Sequence, residues 1–106
     1  MTLAEGTKLE SSERLVSLAT LERGRRAIIR VIGRSLDGVQ DGIIERRLLE
    51  IGFEDGRETE IRHLGPIGGD PIAVRVDRMN VAMRRSEAAF VLVEPVVGSP
   101  EPERRR

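Results

Sequence analysis

The chain has 106 residues, with 18 basic residues against 18 acidic ones, two phenylalanines, and no cysteine, tryptophan or tyrosine. That length builds one domain around a single core, and the absence of cysteine excludes disulfides, thiolate metal sites and a thiol nucleophile. Balanced charge supplies no field to gather nucleic acid, no apolar run reaches the length of a bilayer span, and two aromatic residues cannot form a base-stacking or proline-gripping platform.

Residues 1–14, "MTLAEGTKLESSER", are polar with no sustained period and read as a flexible N-terminal tail, with the folded domain running over 15–95. "AIIRVIG", 27–33, is an apolar run of strand length that stops at a glycine. "RSLDGVQDG" follows as a loop. In "IIERRLLEIGF", Ile44, Leu48 and Ile51 recur at i, i+4 and i+7 and form one helical face. Asp41 is the expected N-cap and Gly52 the expected left-handed C′ residue, which would let Phe53 fold back on Leu48. Strands are expected at about 57–64, 71–77, 80–84 and 90–94, with "RSEAA" as a brief helical turn capped by Ser86. Residues 96–106, rich in proline and charge and ending in three arginines, read as a second, solvated tail. Five short strands, tight turns and one short α-helix predict a mainly β fold, a small barrel that removes its exposed edges by closing on itself. A soluble, intracellular protein is expected.

The stretch "LGPIGGDPIAVRV", 64–76, invites a different reading, because glycine-rich loops cradle phosphates. A phosphate loop opens directly into a helix whose N-terminus adds its dipole. Here Ile72, Val74 and Val76 alternate with Ala73, Arg75 and Asp77, which is a strand, and Thr59, Ile61 and His63 alternate with Glu58, Glu60, Arg62 and Leu64 in the strand before it. Gly68, Gly69 and Asp70 therefore form a bend between antiparallel strands, not an anion site.

Catalytic constellations are absent from the sequence. The carboxylate pairs Glu45 and Glu50, Glu54 and Asp55, and Glu58 and Glu60 fall on helix faces and turns beside arginines, where solvation leaves them ordinary. One histidine and few serines make no nucleophile triad. His63 with Glu60 or Asp70 is the candidate for holding Fe²⁺ weakly, alone or across two copies in an oligomer, but a stable site wants three or four ligands, so no metal site is expected and weak Fe²⁺ is the one cofactor candidate. Placing Ile44, Leu48 and Ile51 inward turns Leu49 to the opposite side of the helix, where it can join Ile43 and Ile67 in an apolar contact patch.

Four segments in order resemble the ferrous iron transport protein A (FeoA) family: "LATLERGRRAIIRVIG", an L-x-x-L-x-x-G approach to the first strand; "RRLLEIGFEDG"; "LGPIGGDPIAVRV", like the family's G-D-P hairpin; and "VAMRRSEAAFVLVE", like its A-x-R-R-x-E-A segment. The resemblance covers about residues 18–94. It implies an SH3-like β-barrel and a small cytoplasmic accessory or regulatory protein of ferrous iron uptake, at the inner face of the membrane through a permease that carries a GTP-binding domain. It does not imply an enzyme, a nucleic-acid partner or membrane insertion, and it leaves homo-oligomers open. A related barrel is appended to metal-dependent repressors, so an interaction domain for such a regulator, or a weak Fe²⁺ carrier, stand as alternatives. With a GTPase as implied partner, Arg46 and Arg47 become candidates for stabilising phosphoryl transfer in trans. The partner-binding residues expected are thus Ile43, Arg46, Arg47, Leu49 and Ile67. The chain departs from the family pattern in a longer 34–42 loop, an extra glycine at Gly68–Gly69, and Arg78 where the family often has a turn glycine.

Overall fold

A computed structural model describes residues 15–96. The expected tail 1–14 and, apart from Val96, the expected tail 96–106 with its terminal arginines lie outside the described residues. The fold is mainly β: β1 (Val16–Ser17), a 3-10 turn (Leu18–Thr20), β2 (Arg26–Ile32), α1 (Gly42–Glu50), β3 (Glu58–Gly65), β4 (Gly69–Val76), β5 (Met79–Met83), α2 (Arg85–Ala88) and β6 (Val91–Pro95). The six strands form one antiparallel sheet in the order β1-β6-β2-β3-β4-β5. The five expected strands are all present within a residue or two. β1 is additional, because two residues are too few to show an alternation, and it exists through its pairing with β6.

One core fills the concave side of the sheet. Ala27 and Ile29 of β2, Ile61 of β3, Ile72, Val74 and Val76 of β4, Met83 of β5, and Val91 and Val93 of β6 meet Leu18, Leu48, Phe53 and Ala88 there. The sheet bends around that core at two bulges within its strands, and a third register shift, between Leu64 and Gly65, adjoins the β3–β4 turn. The ladder shifts between Ile29 and Val31 on β2, where Arg30 is left unpaired and turns out to Glu94 and Asp55. It shifts again between Ile61 and His63 on β3, leaving Arg62 unpaired. The hydrogen-bonded order has two ends, β1 and β5, so the expected ring of strands is not completed among the described residues. α2 packs against the 3-10 turn and β4 between those ends.

α1 forms where the local signals place it. The Asp41 carboxylate accepts the N–H groups of Ile43 and Ile44, both at 3.0 Å. At the other end Gly52 has φ 110°, its N–H donates to Leu49 O at 3.1 Å, and the Phe53 N–H donates to Leu48 O at 3.0 Å. That is a Schellman ending, and it buries Phe53 beside Leu48 in the core.

One turn expectation is corrected. Ser86 does not cap α2, because the N-cap position falls on Arg84, which has no side-chain acceptor for the purpose. Glu87 does the work from inside the helix, its carboxylate accepting the Arg84 N–H at 3.1 Å. In the β4–β5 turn the positive φ (54°) belongs to Asp77, not Arg78, and Asp tolerates that region better than most residues.

Candidate functional site

The hairpin that resembled a phosphate loop is a strand connection. Gly68 and Gly69 have φ of 64° and 87°, and Ile67 and Asp70 exchange both backbone hydrogen bonds around them, which is the pattern of a two-residue type I′ turn. The Asp70–Pro71 peptide bond is cis. The Asp70 carboxylate accepts the Arg85 N–H at 2.9 Å, and the Arg85 guanidinium donates to Ala19 O at 2.9 Å. Arg85 therefore ties the hairpin base, α2 and the 3-10 turn together.

The expected contact residues divide between two elements. Ile43, Arg46 and Leu49 follow one another at i+3 spacing along the exposed side of α1, away from Leu48. Ile43 is 83% and Leu49 47% exposed. Arg46 sits between them, makes no ion pair among the described residues, and lines a shallow concavity with Gln40, Asp41, Gly42 and Ile43. Arg47 lies one row over, and its guanidinium pairs with Glu87 of α2 at 3.3 Å, instead of with Glu50 on its own helix. Ile67, also exposed, stands apart at the tip of the β3–β4 hairpin.

Sequence reasoning missed two neighbours of this ridge. Leu36 and Val39 are exposed large apolar residues in the connection between β2 and α1. That connection is a small built turn. Arg34 bridges Gln40, the Ser35 N–H donates to Val39 O, and the Ser35 hydroxyl donates to Asp37 while accepting the Val39 N–H. The Ser35 hydroxyl, helped by the backbone N–H of Asp37 itself, holds the Asp37 carboxyl below its ordinary range. The signal that could have found these residues is two apolar side chains inside a Ser/Asp/Gly turn too short to reach the core.

On and beside the sheet, neighbouring carboxylates and arginines pair with one another. Glu54 pairs with Arg57, Glu58 with Arg26 and Arg75, and Glu60 with Arg62 and Arg75. Bonds from Asp77 first, then Glu54, raise the pKa of the Arg57 guanidinium above its already high value. The bulge at Arg62 puts His63 opposite Ala73, on the outer face, so it no longer shares a side with Thr59 and Ile61 as simple alternation predicted. Among the described residues no group of three or more histidines and carboxylates is placed to hold a metal ion. No helix among them is long and apolar enough to cross a membrane. What the surface offers is contact: an apolar and cationic ridge on α1 beside a firmly held apolar turn.

Comparison with known proteins agrees with this anatomy. A family model described as the FeoA domain matches residues 16–95. A fusion of Fe(2+) transport protein A with the Fe(2+) transporter FeoB from Porphyromonas gingivalis (strain ATCC BAA-308 / W83) is 36% identical over 78 residues, 73% of this chain. The match spans 8% of that protein's length. The crystal structure of Stenotrophomonas maltophilia FeoA with zinc, named a procaryotic SH3 domain protein, superposes with a TM-score of 0.60 at 35% identity, covering 73% of this chain and 87% of that one. The solution structure of Chlorobium tepidum FeoA superposes with a TM-score of 0.66 at 27% identity, covering 86% and 81%. The SH3-like fold expected from the sequence is thus the fold of its relatives.

Proposed function

The chain belongs to the FeoA family, a family of ferrous iron transport, and on that premise we propose that it is a non-enzymatic accessory protein that acts on the cytoplasmic side by binding an iron permease with a GTP-binding domain. The supporting observation is the relative in which a FeoA segment and the transporter FeoB are one polypeptide, since fusion holds two units at a high effective concentration. The surface suits docking rather than chemistry. Ile43, Arg46 and Leu49 present a ridge whose apolar ends would be buried and whose central guanidinium would meet an acidic group of the permease. Leu36 and Val39 extend the same contact from the adjoining turn.

The test is uptake of ferrous iron by cells that express the permease with this chain, without it, or with Ile43→Asp/Leu49→Asp. The expected result is that transport depends on the chain and that the double variant, folded by its unfolding profile, no longer co-purifies with the permease. Transport indifferent to the chain would end the reading. GTP turnover by the permease with Arg46→Ala and Arg47→Ala separates docking from catalysis in trans: the expected outcome is turnover that recovers at saturating variant protein, because the arginines position the partner and do not touch the nucleotide.

A further inference from the structure

β5 is an open sheet edge of unusual composition. A two-residue turn, Asp77–Arg78, makes Val76 and Met79 the hydrogen-bonded pair that closes the β4–β5 hairpin. Alternation then makes Val74–Val81 and Ile72–Met83 the next such pairs. Met79, Val81 and Met83 use their backbone groups on β4. The N–H and C=O of Asn80 and Ala82 point the other way, and no strand takes them among the described residues. Both residues are exposed. Natural edges are blunted by charge, proline or a bulge, and "MNVAM" contains none of these. Its charges stand just outside, Arg78 at one end and Arg84 at the other, both exposed and neither in an ion pair among the described residues.

We propose that the β5 edge accepts an extended segment of a partner protein as an added strand, one that is uncharged over about five residues and carries a carboxylate at each end. Four free backbone groups at strand spacing supply the hydrogen bonds, and the flanking guanidiniums set the charge pattern. The same arginines disfavour a second copy of this chain. In an antiparallel pair centred on Val81, Arg78 of each copy faces Arg84 of the other, and a parallel pair sets like residues side by side, so like charges meet either way. An acid at both ends of the incoming strand is matched in either direction. The inference is independent of the iron-transport reading, since it rests on the edge alone.

The probe is a capped heptapeptide, aspartate–threonine–valine–serine–valine–threonine–aspartate, with a lysine-ended version of the same core as control. Amide hydrogen exchange of the full chain is followed by NMR. The expected result is slowed exchange at Asn80 and Ala82 with the acid-ended peptide only. Ala82→Pro abolishes it while Val74 and Val81 stay protected, because the Ala82 N–H faces away from β4 and the hairpin loses no bond. Arg78→Glu/Arg84→Glu weakens the acid-ended peptide by about tenfold, the size of two exposed ion pairs. No protection at millimolar peptide overturns the proposal, as does equal binding of the lysine-ended peptide or indifference to charge reversal. Protection already present in the free protein overturns it too: a dilution-dependent signal assigns the edge to a second copy, and a dilution-independent one to this chain's own terminal residues.

Discussion

Asp77, the one non-glycine residue with a positive φ among the described residues, takes the Arg57 guanidinium on one carboxylate oxygen and the Glu58 N–H on the other. The β4–β5 turn is thereby pinned to the start of β3, nineteen and twenty residues away in sequence. The side chain explains why an L-residue other than glycine holds this conformation: the strain of φ 54° is offset by contacts glycine cannot make.

Replacing Asp77 separates the two terms. Asp77→Ala keeps the strain and loses the contacts, whereas Asp77→Gly loses the contacts and relieves the strain. Urea unfolding is expected to place both variants below the native chain, with the glycine variant the more stable of the two by about 0.5–1 kcal/mol. An alanine variant as stable as the glycine one would show that the turn is unstrained.

Gly52 is constrained twice. Its φ of 110° disfavours any side chain, and a Cβ there would collide with the Met79 methyl. Gly52→Ala is expected to cost about 1–2 kcal/mol in thermal or urea unfolding. In a Met79→Ala background the same substitution should cost less, because only the backbone part remains; an unchanged cost would mean that Met79 already moves aside freely.

Glu87 joins α2 to α1 through Arg47 and caps its own helix through the Arg84 N–H. The Arg47 side chain is 66% exposed, so the ion pair is screened and contributes little. Arg47→Ala and Glu87→Gln should therefore each stay within about 0.5 kcal/mol of the native chain, while Glu87→Ala, which also removes the cap, should cost about 1 kcal/mol. Equal losses in all three by denaturant titration would assign the stabilisation to the ion pair instead.

His63 stands on the outer face of β3, next to a bulge and opposite Ala73. An anaerobic Fe²⁺ titration is expected to give the same result for the native chain and for His63→Ala. A clear drop in affinity in the variant would restore the carrier alternative, with ligands drawn from a second copy or from residues outside 15–96.

How much of the fold was legible in the sequence depended on how local its causes are. α1 was readable to the residue because Asp41, Gly52 and the Leu48–Phe53 contact act within a dozen positions of one another. The bend at Gly68 and Gly69 was readable as a connection between antiparallel strands from the alternation on either side of it, while its type I′ geometry came from the fold. The exposure of Ile43, Leu49 and Ile67 followed from periodicity and turn position in the same way. The face of His63 was not readable, since the bulge at Arg62 is a property of the β3–β4 ladder and moves His63 to the outer side. Nor was the cap of α2, which a longer side chain takes over from Ser86 because Arg84 ends the preceding strand in extended conformation.

What the sequence determined by itself is every described element but β1 and the 3-10 turn, and the residue types this chain lacks. The lack of cysteine and of aromatic platforms, with a single histidine, excludes thiolate and base-stacking chemistry and makes contact the expectation. Only the tertiary structure decided which contacts are offered. It turned Arg47 to Glu87, left Arg46 between two apolar side chains with no ion pair among the described residues, and set Leu36 and Val39 outward on a held turn. It also left the backbone of Asn80 and Ala82 without a neighbouring strand among the described residues. The physical reason is that caps and turns are satisfied within a few residues of chain. Strand register, edges and cross-element ion pairs exist only once distant segments meet.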